Sequence, residues 1–405
     1  MEIFRQIQLD NWWLTNLGFI YQLIYDLGTY FLLSLIFIYL YKTKIIGINV
    51  LYLSLLFLLT PFLFNNSFFS WVMLPDQMKY LNNAYLLRDN PEMVLDIAGK
   101  TPGHKKVWIA SAIYAFSPII SFETFKGISL FNRAIFLLTL IFFSKKKYID
   151  NYNVILFLIL PSVTLYTSVA LRENLIILSL LYFVYFYYEK NYSLNLLVIL
   201  FLFITKPQML AVIGIFLILN TVIKPDKINY KVFSILFVTF CISLYIIEID
   251  TLVNSVNQMR EGFFREEFGS YKSVSATTDY SSQMINLSFS SIPVIIRSFL
   301  NFIAPPLIKG DVGILSIIHL FEFSFLIFYA FFRMNLQEKV NKYILFKWFL
   351  VLMISYLLHS LIVFNNFTIL RYKLPIMMFV IFGYFVNVKF NQLKNENSSR
   401  YNQFK

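Results

Sequence analysis

The sequence predicts an all-α, polytopic integral membrane protein of about eleven transmembrane helices, with two long loops on one side of the bilayer. Three observations predict it. Hydrophobic residues make up 58% of the 405-residue chain and charged residues only 14%, whereas a soluble domain is about a quarter charged. Mean hydropathy is +0.66. Apolar runs of bilayer-crossing length, about 20 residues, recur from one end of the chain to the other.

Taken in order, the N-terminal stretch "MEIFRQIQLDNWWLTN" lacks the basic-then-apolar pattern of a cleaved signal. It reads as an interfacial segment with Trp12 and Trp13 at headgroup depth. Spans are expected near 19–41, 46–64, 127–144, 152–169, 174–188, 194–205, 208–223, 230–248, 312–332, 344–364 and 374–389. The run 107–121 is short for a crossing, and counting it would reverse the sidedness of everything before it; it reads as re-entrant or interfacial. Two connections, 65–106 and 249–311, exceed ordinary loop length and carry amphipathic patches suited to the membrane surface. Residues 390–405 form a polar tail, and no internal repeat divides the chain, so 1–405 reads as one membrane domain. The single cysteine, Cys241, lies within an apolar run and reads as packing.

Charge sets the expected orientation. Under this assignment the lysine-rich connections "YKTK", "SKKKY", "KPDKINYK", "RMNLQEKVNK" and the tail all fall on one side, the cytoplasmic side by the positive-inside rule. With its short flanks that side holds 17 Lys+Arg against 5 Asp+Glu; the remainder, 34−17 = 17 basic and 22−5 = 17 acidic, is neutral. The net charge of +12 is thus a topology signal, and nucleic acid is not expected as a partner. Of ten arginines, only Arg333 and Arg400 belong to the cytoplasmic set. The others lie on the outer side or within spans, where a planar guanidinium suits phosphate or carboxylate.

Several ionisable residues stand out against this apolar background. Asp76, Tyr80 and Ala84 share one helix face in "LPDQMKYLNNAYLLR"; Asp76 is either a helix-start acid or a general base for a hydroxyl. Arg172 and Glu173 occupy the turn of "SVALRENL" between two apolar runs. Adjacent helical residues point about 100° apart, so this pair either neutralises itself at the headgroups or takes separate partners. Lys206 precedes Pro207, where a helix must break, and is either a snorkelling anchor or a phosphate contact. Arg371, flanked by Tyr372 and Lys373, stands where the last span begins, and Arg297 interrupts the apolar "IPVIIRSFLNFIAPP". Glu322 falls midway along a span and is expected to face the protein interior and a partner, His319 being one turn away. His104, His319 and His359 form no zinc motif, and neither a Walker motif nor a long cytoplasmic loop for a nucleotide domain is present. Asp89, Glu92 and Asp96 read as a solvated face.

Taken together, these stretches resemble a known group. "DQMKYLNNA" is similar to the first outer loop of GT-C-type membrane glycosyltransferases. "PSVTLYTSVALRENLIILSLLY", "TKPQ", the "APP" ahead of the span bearing Glu322, and "LRYKLPIMMF" follow one another as in Wzy-type repeat-unit polymerases and their EpsG-like relatives. The likeness spans residues 70 to 380 in short, scattered motifs. It departs from that group in having Lys206 where an Arg-Pro is common and in lacking an Asp-x-Asp metal pair.

The resemblance implies a GT-C-like fold in the bacterial inner membrane. It also implies an inverting glycosyl transfer at the periplasmic face, from an undecaprenyl-pyrophosphate oligosaccharide donor to a lipid-linked acceptor. Asp76, and next Glu173, would take the acceptor proton. Arg172, Lys206, Arg371 and Arg297 would hold the (pyro)phosphate, with Tyr80, Glu322 and Tyr372 in support. No cofactor is expected, a divalent metal is an option that the residues do not indicate, and a chain-length regulator is a possible protein partner. Two alternatives accompany this expectation: a transferase adding one sugar from undecaprenyl-phosphate-sugar, and a polysaccharide flippase, which would be expected to show two similar halves.

Overall fold

The computed structural model of the chain describes residues 16–64, 76–99, 102–116, 124–169, 171–223, 253–261, 291–303, 342–363 and 366–403, with single positions at 235, 285, 317, 320–322 and 324. These residues are helical throughout, and contacts divide the chain into two compact units, Met1–Pro207 and Gln208–Lys405. Among the described residues, four helices are long and apolar enough to cross a membrane: Ile20–Lys42, Phe125–Lys145, Tyr343–Ile362 and Arg371–Gln392. Other apolar helices among the described residues are shorter. The expected spans 230–248 and 312–332 lie almost wholly outside the described residues.

The first unit contains α1 (Asn16–Lys42), α2 (Ile48–Phe64), α3 (Asp76–Asp89), a 3₁₀ helix (Pro91–Gly99), α4 (Pro102–Ala115), α5 (Phe125–Lys145), α6 (Asn151–Ile159), α7 (Pro161–Thr167), α8 (Glu173–Tyr188) and α9 (Tyr192–Thr205). At 1.5 Å per residue the 14-residue α4 is about 21 Å long, short of the hydrocarbon thickness. Of the first long connection, 65–106, residues 76–89, 91–99 and 102–106 are helical. The span expected at 152–169 is not one helix. Pro161 has no N–H to continue the ladder, Leu160 is extended (φ −65°, ψ 117°), and α7 restarts with Pro161 in its first turn.

Helices α1, α5 and α8 end in one device. Lys44, Lys147 and Lys190 adopt positive φ (59°, 63° and 58°) just past the helix. The next amide folds back on the last turn: Ile45 N–H to Leu40 O (2.9 Å), Tyr148 to Phe143 (3.0 Å) and Asn191 to Phe186 (2.9 Å). Glycine usually fills this position, and a side chain there costs about 1 kcal/mol. These three turns share one end of the unit. Residues 45–50 and 141–145 line a common cavity, and the Tyr148 hydroxyl donates to Glu189 beside Lys190. At the opposite end, the Thr124 hydroxyl caps α5 at Gly127 N (2.8 Å) and donates to Asp26 of α1, while Lys126 lies 5.7 Å over the Phe62 ring of α2. Helices α1, α5 and α8 thus run one way and α2, α6–α7 and α9 the other. Phe143, Tyr182 and Tyr185, with centroids 5.3–5.6 Å apart, fill the space between α5 and α8.

The second unit contains α10 (Met209–Val222), a helical stretch at 253–261, α11 (Ile292–Ile303), α12 (Lys342–Ile362) and α13 (Asn366–Gln403). Helix α12 packs against α10, α11 and α13. Its Trp348 stacks on Phe216 (4.9 Å) and meets Phe379 edge-on (5.6 Å). Gly383 of α13 lies under the same indole, and a Cβ there would fall 2.0 Å from it, so only glycine fits. Helix α13 continues past its apolar span to Gln403, so most of the tail expected at 390–405 is an extension of the last helix.

Candidate functional site

In the first unit the turn 168–172, from the stretch "SVALRENL", is held by buried polar groups on three helices. The Tyr114 hydroxyl of α4 donates to Leu171 O (2.9 Å), with Asn132 Oδ1 of α5 3.2 Å away. Asn132 Nδ2 donates to Leu171 O (3.2 Å), and Asn174 Nδ2 of α8 donates to Asn132 O (2.8 Å). Burial, the largest influence, pushes the Tyr114 phenol far above its ordinary range, so it stays a donor. Tyr80 of α3 meets Tyr114 edge-on, ring centroids 6.4 Å apart, which brings the outer-loop helix onto the turn.

Arg133, next to Asn132, serves the same turn from the other side. It is wholly buried, stacks 4.0 Å over Phe57, and no carboxylate pairs with it among the described residues. Its guanidinium donates to Phe57 O, Thr164 O and Ser168 Oγ. Both carbonyls lack a backbone N–H partner for sequence reasons, and besides Arg133 each accepts only from a hydroxyl of its own helix, Thr60 Oγ1 (2.9 Å) and Ser168 Oγ. Phe57 O would normally accept from residue 61, which is Pro61 and has no N–H. Thr164 O would accept from Ser168 N–H, which turns instead to Leu165 O (3.0 Å) as α7 ends. One planar fork thus mends two broken helices and fixes Ser168.

Arg172 follows directly. It sits at the N-cap of α8 without a capping bond, half-buried; its Nε and Nη1 are shut off from solvent and make no hydrogen bond. It does not pair with Glu173, which is fully buried as the first residue of α8. Lys106 of α4 lies within electrostatic reach of Arg172: burial first, then that guanidinium, hold the Lys106 ammonium below the usual lysine range. Glu173 and Arg172 both act on the Tyr114 phenol, so Tyr80, Tyr114, Arg172 and Glu173 form one cluster with Lys106 at its edge. Lys206 is the C-cap residue of α9 and is buried at 4% exposure, which rules out a snorkelling anchor. The tight turn 189–191 makes α8 and α9 antiparallel, so Lys206 returns to the end of α8 that carries Arg172 and Glu173. Asp76 opens α3 one turn before Tyr80, as its spacing predicts; its side chain lies outside the described residues. Asp89 and Glu92 are exposed, and among the described residues no three His, Cys, Asp or Glu side chains converge to hold a metal.

Comparison with protein-family models, curated proteins and solved structures gives no match. The chemistry therefore rests on the side chains alone.

In the second unit the predicted residues divide. Tyr372 is buried against His359 (5.6 Å between rings), and Arg371 is half-buried beside it. Glu322 is buried as expected, and Lys373 and Tyr356 are within its electrostatic reach; His319 lies outside the described residues. Lys373 Nζ donates to Ile303 O (2.6 Å), the last residue of α11. Arg260 donates to Leu361 O (2.8 Å) near the end of α12. Arg297 does not join them: it is exposed on α11, on the face that also exposes Ile292, Ile296 and Leu300. Sequence reasoning passed over Lys106, Tyr114 and Asn132. The available signal was the polar pair Asn132–Arg133 inside an otherwise apolar span.

Proposed function

We propose that this chain is a membrane glycosyltransferase that polymerises undecaprenyl-pyrophosphate-linked oligosaccharide repeat units at the outer face of the bacterial inner membrane. The observation that carries this reading is Arg172, a cation whose buried Nε and Nη1 have no hydrogen-bond partner among the described residues and which lies within electrostatic reach of a second cation, Lys106. A buried donor left unmade costs about 1–3 kcal/mol, and two like charges in low dielectric repel. An anion entering between them would relieve both costs. A lipid pyrophosphate leaving group is such an anion, and its charge grows as the glycosidic bond breaks.

In the proposed reaction the acceptor hydroxyl oxygen attacks the anomeric carbon of the donor sugar, inverting it. The bond from that carbon to the pyrophosphate oxygen breaks, and the lipid pyrophosphate leaves with the electron pair. The hydroxyl proton passes to a carboxylate, Asp76 or Glu173. Arg172 and Lys106 bind the departing charge, with Lys206 of the same unit as a further candidate for the same work. The activated donor supplies the driving force, so no nucleotide site is needed.

The experiment is deletion of the gene in its native host, followed by gel analysis of surface polysaccharide. Glycan capped at a single repeat is the expected result. A truncated repeat would instead make the chain a single-sugar transferase, and unaltered polysaccharide would remove it from glycan assembly altogether. Complementation with Arg172→Gln should leave the protein in the membrane and the polymer absent; normal polymer would take Arg172 out of the mechanism.

A further inference from the structure

At the lysine-bearing end of the first unit, opposite the cluster described above, lies a cavity of about 230 Å³ between the α1–α2 connection, the end of α5 and the start of α6. At about 30 Å³ per water molecule it has room for roughly eight. Its apolar wall is formed by Ile46, Val50, Ile141 and Val154, and its polar rim by Ser144 and Lys145; no acidic side chain lines it. Lys145 on its rim is exposed, and the connections at this end of the unit carry further exposed ammonium groups: Lys42, Lys44, Lys146, Lys147 and Lys190. None of these six makes an ion pair or side-chain hydrogen bond among the described residues. The acids of this end are engaged, Glu189 by the Tyr148 hydroxyl and Asp150 as the cap of α6 at Asn153 N–H (2.8 Å).

We infer that this cavity is a binding site for an anionic phospholipid, with the headgroup phosphate at Lys145 and Ser144 and the first carbons of the lipid against the Ile46–Val154 wall. Charge complementarity selects the occupant: the lining offers an ammonium, Lys145, and a hydroxyl, Ser144, with no carboxylate to repel a phosphate. The wall selects the source, because free phosphate has no use for an apolar surface. Basic pockets between helices at a cytoplasmic leaflet, whose lipids are negatively charged, have this chemistry. The inference does not depend on the proposed enzymatic activity, since it concerns other residues at the other end of the unit.

The test uses the full chain purified in detergent, with thermal unfolding followed on adding phosphatidylglycerol, phosphatidylcholine or inorganic phosphate. Phosphatidylglycerol should raise the midpoint, and the other two should not. Two variants separate the cavity from the general basic surface. Gly47 lines the cavity, and a Cβ there meets nothing within 4 Å, so Gly47→Leu fills the space without strain. It should abolish the shift, as should Lys145→Gln, whereas Lys190→Gln at the same end should keep it. A phosphatidylglycerol shift that survives both Gly47→Leu and Lys145→Gln would overturn the site in favour of a diffuse film of charge. So would an equal shift from phosphatidylcholine, or none from any lipid.

Discussion

Both units bury cations in a chain built for hydrocarbon, and they use them differently. In the second unit Lys373 and Arg260 donate to carbonyls at the ends of α11 and α12, and Lys347 donates to Asn220 and Asn387 at 2.7 Å each. Such groups satisfy backbone and amide oxygens that lipid cannot. In the first unit Arg133 does the same work, but Arg172 does not: its buried Nε and Nη1 meet no acceptor among the described residues. The contrast teaches that burial of a charge does not mark a site. What marks it is where the protons go.

The comparison can be broken most directly where the cations are structural. Lys373→Met removes the partner of Ile303 O and a cation near buried Glu322, and should cost about 3 kcal/mol or more, read as a large fall in the unfolding midpoint in detergent. Arg133→Gln should cost about 1–3 kcal/mol, because it removes the charge-assisted donor from carbonyls in α2 and α7 that are then left with a single hydroxyl each. Pro61→Ala returns an N–H to Phe57 O, so the two changes together should cost about 1 kcal/mol less than their sum in a double-mutant cycle; strict additivity would refute the account of Arg133. Gly383→Ala drives a methyl into Trp348 and should cost about 1–3 kcal/mol, with a loss of tryptophan fluorescence structure before global unfolding. Arg172→Gln and Lys106→Gln should shift stability by under about 0.5 kcal/mol yet abolish polymer, since neither mends a helix. Large destabilisation from Arg172→Gln would place it with the structural cations and dissolve the contrast. Smallest of all, Arg297→Gln should leave both stability and polymer unchanged, because its side chain is exposed on α11.

Much of the architecture is legible in the residues. Apolar run length places α1, α2, α5, α8, α9, α10 and α12 within a few positions of their expected spans, and the Asp76–Tyr80 spacing does foretell α3. Two of the five lysine-rich connections, at 42–44 and 145–147, lie at one end of the first unit, where the turn bearing Lys190 joins them. The break at Leu160–Pro161 is missed because hydropathy ignores the missing N–H, although Pro161 was in plain view. Glu322 shows the other limit. Its burial follows from its depth in an apolar run, but Lys373 stands 51 positions away (373−322), and no local pattern could name it.

By itself the sequence determines that this chain is helical with runs apolar enough to cross a membrane, where its lysines fall between those runs, and which ionisable residues are too costly to bury idly. These follow from solvation, a property of each residue and its near neighbours. The tertiary structure alone decides which of those charges are already satisfied. It sets Arg133 on the carbonyls that Pro61 and the end of α7 leave without a backbone N–H, Lys373 on Ile303, and the buried Nε and Nη1 of Arg172 on no acceptor among the described residues. Hydrogen bonding needs atoms within about 3 Å, and helix packing brings distant residues that close.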